Sequence, residues 1–197
     1  MGQYFKIANL DRFERIESDS FRKLMEFCYI GNSAPDEAMR LLLPGNQWHN
    51  TQVTFVGDYC DDDDREAELR KSALENLPEQ YRSILKKGDD DRSLYGIFSI
   101  FPERQHYGGK SPRYLFNHNQ KQYVDLKDCP EYNGGYKIHP LGLLTALGNG
   151  NGGGDYYSDN GAEYVGSWCG DTLSSDFKLT FAEYERITSN FTEEKGQ

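Results

Sequence analysis

Residues 9–16, Asn-Leu-Asp-Arg-Phe-Glu-Arg-Ile, and residues 117–124, Asn-His-Asn-Gln-Lys-Gln-Tyr-Val, are the two stretches on which the fold turns. Each follows an aromatic, strand-like run, Tyr4-Phe5-Lys6-Ile7 in one case and Tyr114-Leu115-Phe116 in the other. A short polar centre between extended runs predicts a β-hairpin, because Asn and Asp tolerate the left-handed backbone conformation of a tight turn.

Outward from the hairpins the chain keeps matching itself. Lys23-Leu24-Met25-Glu26-Phe27 leads to Gly31-Asn32, and Pro140-Leu141-Gly142-Leu143-Leu144 leads to Gly148-Asn149. Both read as short helices ended by a glycine able to take a positive φ. A third match joins Trp48 (Trp-His-Asn-Thr-Gln-Val) to Trp168 (Trp-Cys-Gly-Asp-Thr-Leu), the only two tryptophans. A rival register sets Val56-Gly57-Asp58-Tyr59-Cys60 against Val165-Gly166-Ser167-Trp168-Cys169; its letters agree better and its spacing worse, and the tryptophan register is preferred. Asp61 to Leu77 reads as a helix interrupted by Pro78, with Glu66 and Arg70 one turn apart. Phe181, Tyr184, Ile187 and Phe191 have the spacing of an amphipathic C-terminal helix, and Leu94 to Phe101 reads as a buried strand. The expectation is an α+β fold of two pseudo-repeats, hairpin–helix–strand–helix, packed as one domain, with repeats at 1–101 and 112–197 and a linker at 102–111.

Composition supports a globular chain with an unusual core. Of 197 residues, 14 are Tyr and 11 Phe, so aromatic bulk replaces the scarce aliphatics. The net charge is −10. Both halves, divided at residue 98, are acidic, so neither carries the basic stripe that phosphate neutralisation needs; nucleic acid and anionic membrane are excluded as expected partners. Cys28, Cys60, Cys129 and Cys169 lie far apart with no CxxC pair, which suits a reducing compartment and disfavours a zinc site. No charged-then-apolar start and no long apolar run occur, so a cytoplasmic location without a membrane span is expected.

The opening Gly2-Gln3-Tyr4-Phe5-Lys6 with Asn9-Leu10-Asp11 resembles a family of short microbial proteins. Gly57-Asp58-Tyr59, Phe116-Asn117-His118, Ile138-His139-Pro140-Leu141, Gly148-Asn149-Gly150 through Gly154-Asp155-Tyr156, and Gly166-Ser167-Trp168 are similar to it too, so the resemblance spans most of the chain. It implies no particular activity, substrate or partner. After Trp48 the Gly-Asp that the resemblance leads one to expect is replaced by His49-Asn50, so that acidic position survives only at Asp171.

The candidate ligand-binding residues are Gly150, Gly153, Asp155, Trp168, Asp171, Trp48 and Asp58. Gly148 to Asp155 fits G-x-G-x-x-G by letter but has an apparent helix before it and no helix after it, the reverse of a dinucleotide site. Its glycines would let backbone N–H groups approach a ligand, or simply make a flexible connector. Asp155 with Ser158, Asp159 and Asn160, or Asp58 with Asp61–Asp64, could offer oxygens to a divalent cation; turn and helix-start roles compete. Trp168 beside Asp171 could pair a stacking platform with a carboxylate, for a sugar, nucleobase or cation; a core Trp with a turn Asp is the plainer alternative. Cys169 lacks any nucleophile context, and turn or helix-start roles account for His118 and His139 as well as base catalysis does. The leading reading is a non-catalytic protein that binds an unknown small molecule or protein. Behind it stand a metal-assisted hydrolase or transferase using Asp58, Asp155 and Asp171, and an acidic decoy of a nucleic-acid-binding partner.

Overall fold

A computed structural model describes residues 2–17, 23–85, 92–105, 108–129, 131–132, 135–157 and 162–187. Both expected hairpins are present: β1 (Phe5–Asn9) with β2 (Glu14–Ile16), and β4 (Tyr114–Asn117) with β5 (Gln122–Asp125). They close by the same chemistry. Asn9 Oδ1 accepts from the backbone N–H of Asp11 at 3.1 Å and Arg12 at 2.9 Å, and Asn117 Oδ1 accepts from Asn119 at 2.9 Å and Gln120 at 3.0 Å. Each turn leaves through a positive φ, 55° at Phe13 and 53° at Lys121.

The hairpins flank a central pair of strands, β3 (Thr51–Gly57) and β9 (Thr172–Asp176), antiparallel through Thr51 opposite Leu173 and Gln52 opposite Thr172. The order β5-β4-β9-β3-β1-β2 follows, with β10 (Glu185–Arg186) parallel on β5 and the short β8 (Ala146–Leu147) parallel on β3. β6 (Glu131–Tyr132) and β7 (Tyr136–Lys137) form a separate ribbon. Backbone bonds also cross between the halves. Phe55 N–H donates to Thr145 O at 3.0 Å, and Ser175 N–H donates to Leu42 O at 3.2 Å.

Strand alternation sends Ile7, Val53, Phe55, Leu115 and Leu173 to one face. There they meet α1 (Leu24–Phe27), α2 (Ser33–Leu41) and α6 (Pro140–Leu144), with both tryptophans in the layer. Ala8, Val56 and Leu147 point to the other face, onto α3 (Glu66–Glu75) and α5 (Leu94–Phe98). α4 (Glu79–Arg82) follows Pro78. The fold is mixed α+β, and the described residues contain no helix long and apolar enough to cross a membrane.

Several local expectations are corrected. Leu94 to Phe101 is helical where a strand was expected: Leu94, Ile97, Phe98 and Phe101 recur at helical steps, and the Ser93 side chain caps the start by accepting from Gly96 N–H at 3.4 Å. A short apolar run fits either periodicity. The C-terminal helix is absent through Ile187. Phe181 and Tyr184 instead close over β4 from a turn, with Phe181 5.1 Å from the Phe116 ring, and the N–H groups of Glu185 and Ile187 then donate to Lys121 O and Tyr123 O as β10 pairs with β5; Phe191 lies outside the described residues. Asp61–Asp64 precede the helix rather than begin it, because Cys60–Asp62 form a single tight turn and α3 starts at Glu66. Glu66 and Arg70 do meet, at 3.4 Å. Within the expected linker, Glu103 makes one isolated parallel bridge to Arg15: Arg15 N–H donates to Pro102 O, and Arg104 N–H to Arg15 O. Finally, α2 and α6 are capped and left in the same way. Trp48 N–H bonds Leu41 O after α2 as Trp168 N–H bonds Leu144 O after α6, and the Asn32 and His139 side chains cap the two helices.

Candidate functional site

The helix expected before the glycine-rich loop is α6, and the two-residue β8 lies between it and Gly148. Asp155 decides its shape. Its side chain is buried, and Oδ2 accepts from the N–H of Gly150 at 2.8 Å and Gly152 at 3.0 Å. The backbone donors that a bound anion would use are thus taken by the chain's own carboxylate. Asn149 fastens the far side, donating to Tyr156 O at 3.1 Å and accepting from Tyr156 N–H at 2.8 Å. Gly148 N–H reaches Asp63 at 3.2 Å, and Gly153 O accepts from Gln3 N–H at 3.1 Å. Gly152 must be glycine, because a Cβ there would lie 2.4 Å from Cβ of Gln3. The loop is neither an open cradle nor a loose connector; it is a platform held by its own hydrogen bonds.

Beneath the platform the Gln3 amide is fully buried and, among the described residues, neither its Nε2 nor its Oε1 has a partner; Asp155 Oδ1 is in the same position. Burial pushes the Asp155 carboxyl above its ordinary range, against the pull of the loop amides, and the negative charge of Asp58 pushes the same way. Asp58 stands at the end of β3, where its Oδ1 accepts from Tyr4 N–H at 2.9 Å. On the rim are two of the most exposed large side chains, Tyr4 at 44% and Tyr157 at 64%. The Tyr157 hydroxyl donates to Gly152 O, which pins the ring to the loop. Asn151 donates to Tyr59 O at 3.2 Å, joining the loop to the turn that bears the exposed Asp61 and Asp62. One face therefore combines two open tyrosines, a rigid glycine loop and several carboxylates.

The remaining sequence candidates lie elsewhere. Trp48 and Trp168 are both fully buried, with indole N–H groups bonded to Glu14 at 2.7 Å and Gln122 at 3.1 Å. Neither ring face is open, so the stacking platform expected of Trp168 is corrected to a core role. Asp171 accepts from Asn117 Nδ2 at 2.7 Å and Gln120 at 2.8 Å. Thr51 Oγ1 accepts from Asn9 Nδ2 at 2.7 Å in the matching place, so Asp171 clasps a hairpin to the sheet. Asp58 and Asp171 sit at opposite ends of β3, roughly 20 Å apart at the usual rise per residue. The three carboxylates of the metal-assisted reading do not converge, and no three His, Cys, Asp or Glu side chains among the described residues form a metal-ligand group. Ser158, Asp159 and Asn160 lie outside the described residues.

Burial pushes all four thiols up to about 12, which leaves them protonated; Cys28, Cys60 and Cys129 are also closed to solvent, while Cys169 is half-buried. His118 bonds Ser174 at 2.8 Å and Tyr184 at 3.1 Å, but Ser174 is buried and unreachable by a substrate. His139 is fully buried and caps α6 through Nδ1. Tyr4 and Tyr157 were not singled out from sequence. Tyr4 just outside a strand, beside Gln3, was the available signal; nothing local marks Tyr157. No family model matches the chain, and no curated protein or solved structure matches it either.

Proposed function

We propose that the chain is a non-catalytic interaction protein whose docking face is the glycine platform with Tyr4, Tyr157, Asp58, Asp61 and Asp62, and that its partner presents a basic segment. The observation that carries this is the exposure of two tyrosines, Tyr157 at 64% on a loop that is already hydrogen-bonded to itself and Tyr4 at 44% on the chain segment bonded to that loop through Gln3. Tyrosine rings offer large contact area at small entropic cost, and a preorganised backbone lowers the cost of ordering on binding. The neighbouring carboxylates and the net charge of −10 favour a cationic partner. The acidic-decoy reading is a special case of this one, with a nucleic-acid-binding protein as the basic partner.

The same proposal includes the origin of the scaffold: two duplicated units related about the β3–β9 pair. Supporting it are the matching hairpin turns, the matching tryptophan bonds and the symmetric strand order. Under this reading the units correspond through Trp48 and Trp168, with α2 matched to α6.

The test is binding of the full chain to a panel of Lys/Arg-rich, neutral and Asp/Glu-rich peptides and neutral oligosaccharides, read by fluorescence anisotropy or calorimetry. Basic peptides should bind best, more weakly as salt rises, and the Tyr4→Ala/Tyr157→Ala variant should lose about ten-fold in affinity or more. Binding without charge preference, or a double variant that binds as well as the parent, overturns the reading.

A further inference from the structure

At the other end of β3, on a separate part of the surface, a cleft of about 280 Å³ is lined by Arg12, Glu14, Gln47 and Arg104. Arg12 is exposed, and its Nε donates to Gln47 O at 3.0 Å. Among the described residues no carboxylate pairs with its guanidinium, so its Nη atoms remain available to a ligand that enters the cleft. Arg104 faces it across Glu14. The Glu14 carboxylate is committed on both oxygens, accepting from Arg104 at 2.5 Å through Oε1 and from the Trp48 indole at 2.7 Å through Oε2. Glu14 thus holds Arg104 in position and balances one of the two positive charges, leaving the cleft with one in excess on a chain whose total is −10.

The second half has the same backbone arrangement with different chemistry. Gln120 donates to Ser167 O at 2.8 Å where Arg12 donates to Gln47 O, Gln122 receives the Trp168 indole where Glu14 receives that of Trp48, and Ile187 N–H bonds Tyr123 O where Arg104 N–H bonds Arg15 O. The uncharged set holds the same hairpin, so neither arginine is required for the architecture. Charge was placed in one of two like positions, and a cleft lies there.

We infer that the Arg12–Arg104 cleft binds the oxyanion group of a small acid, a carboxylate or a phosphate. A guanidinium fork matches either group through two parallel N–H···O bonds. The volume admits a small molecule and not a folded partner.

The test uses the full chain with succinate, inorganic phosphate and, at matched ionic strength, chloride. Chemical shifts of backbone amides and the melting temperature are followed up to about 20 mM, since one exposed guanidinium supports affinities near the millimolar range. Saturable shifts centred on residues 12, 47 and 104, with succinate or phosphate but not chloride, are expected; which of the two saturates first identifies the class. The variant is Arg12→Gln, which recreates the bond that Gln120 already makes in the second half and so preserves the fold. It should weaken binding about ten-fold. An unsaturable response equal to that of chloride overturns the inference, as does a folded Arg12→Gln protein that binds equally well.

Discussion

Asn9 and Asn117 clasp their hairpins alike, but Asn9 Nδ2 meets a hydroxyl and Asn117 Nδ2 a carboxylate, both at 2.7 Å. Replacing each by Asp should therefore separate them. In Asn9→Asp the turn-facing oxygen is kept, and the Thr51 hydroxyl, which donates to Trp48 O at 2.6 Å, rotates to donate to the new carboxylate. The cost is one redirected hydrogen bond, about 1 kcal/mol, on top of the desolvation of a carboxylate at a fully buried position, which Asn117→Asp shares because Asn117 is equally buried. In Asn117→Asp two carboxylates face one another at hydrogen-bond distance. Two unit charges about 3 Å apart repel by roughly 1.4 kcal/mol in water and about 5 kcal/mol at an effective dielectric of 20. Gln120 still donates to Asp171 at 2.8 Å and the turn is partly exposed, so a value of about 2–3 kcal/mol is expected. At roughly 2–4 °C per kcal/mol for a chain of this size, the melting temperature falls by about 5–10 °C at pH 7. The native pair binds a proton more tightly than the unfolded chain does, so this penalty is present above the ordinary carboxylate range and disappears as pH falls through about 4. Denaturant unfolding of both variants between pH 7 and pH 3.5 measures it. Equal destabilisation of the two, unchanged with pH, would refute the clasp geometry.

Three further outcomes follow from buried groups. Asp155 is pushed up by burial, so the native state holds its proton more tightly and loses stability as pH rises above the ordinary value of 3.8; Asp155→Asn should remove that slope, whereas Asp155→Ala, which orphans two loop N–H groups, should cost about 2–3 kcal/mol near neutral pH. Thermal melts from pH 3.5 to 7 compare the three proteins. His139 is pushed down by burial, with Asp36 opposing, so the unfolded chain takes up a proton below 6.5 that the native chain refuses, and stability falls with pH from there. His139→Asn keeps a helix-capping oxygen and should flatten that slope by up to one proton's worth, roughly 1.4 kcal/mol per pH unit, while His118, also pushed down by burial, leaves a residual slope. With buried thiols pushed up to about 12, the native chain should react with iodoacetamide far more slowly than the urea-unfolded chain at Cys28, Cys60 and Cys129, and with less protection at the half-buried Cys169, which mass spectrometry resolves site by site.

The hairpins were legible in the sequence because their signal is local: an Asn whose side chain caps the turn it begins leaves its mark within a few letters. The two tryptophans stood out in the sequence because Trp is rare, and in the structure each indole N–H has one side-chain acceptor. Leu94 to Phe101 was not, since eight mostly apolar residues satisfy strand and helix alike until Ser93 is seen to cap Gly96. The likeness of α2 to α6 was hidden for a different reason: α1 and α2 both precede Trp48, and the bond from Trp48 to Leu41 follows α2 as the bond from Trp168 to Leu144 follows α6. At the site, composition drew attention to the glycines and Asp155. That Asp155 fills the loop's own donors depends on a backbone path no letter encodes. That Tyr157 lies open on that path, with Tyr4 open beside it, is equally a property of the assembled surface.

The reciprocal bonds of Phe55 to Thr145 and of Ser175 to Leu42 bear on how the chain is made. During synthesis β3 emerges long before β9, its neighbour, and before α6, whose end ties down Phe55. Until the last quarter of the polypeptide has left the ribosome, β3 carries an unpaired edge flanked by apolar side chains, the condition under which nascent chains associate wrongly. A ribosome stalled between the two halves would release a product unable to close its own sheet. Quality-control proteases should find such fragments readily and the finished chain hardly at all.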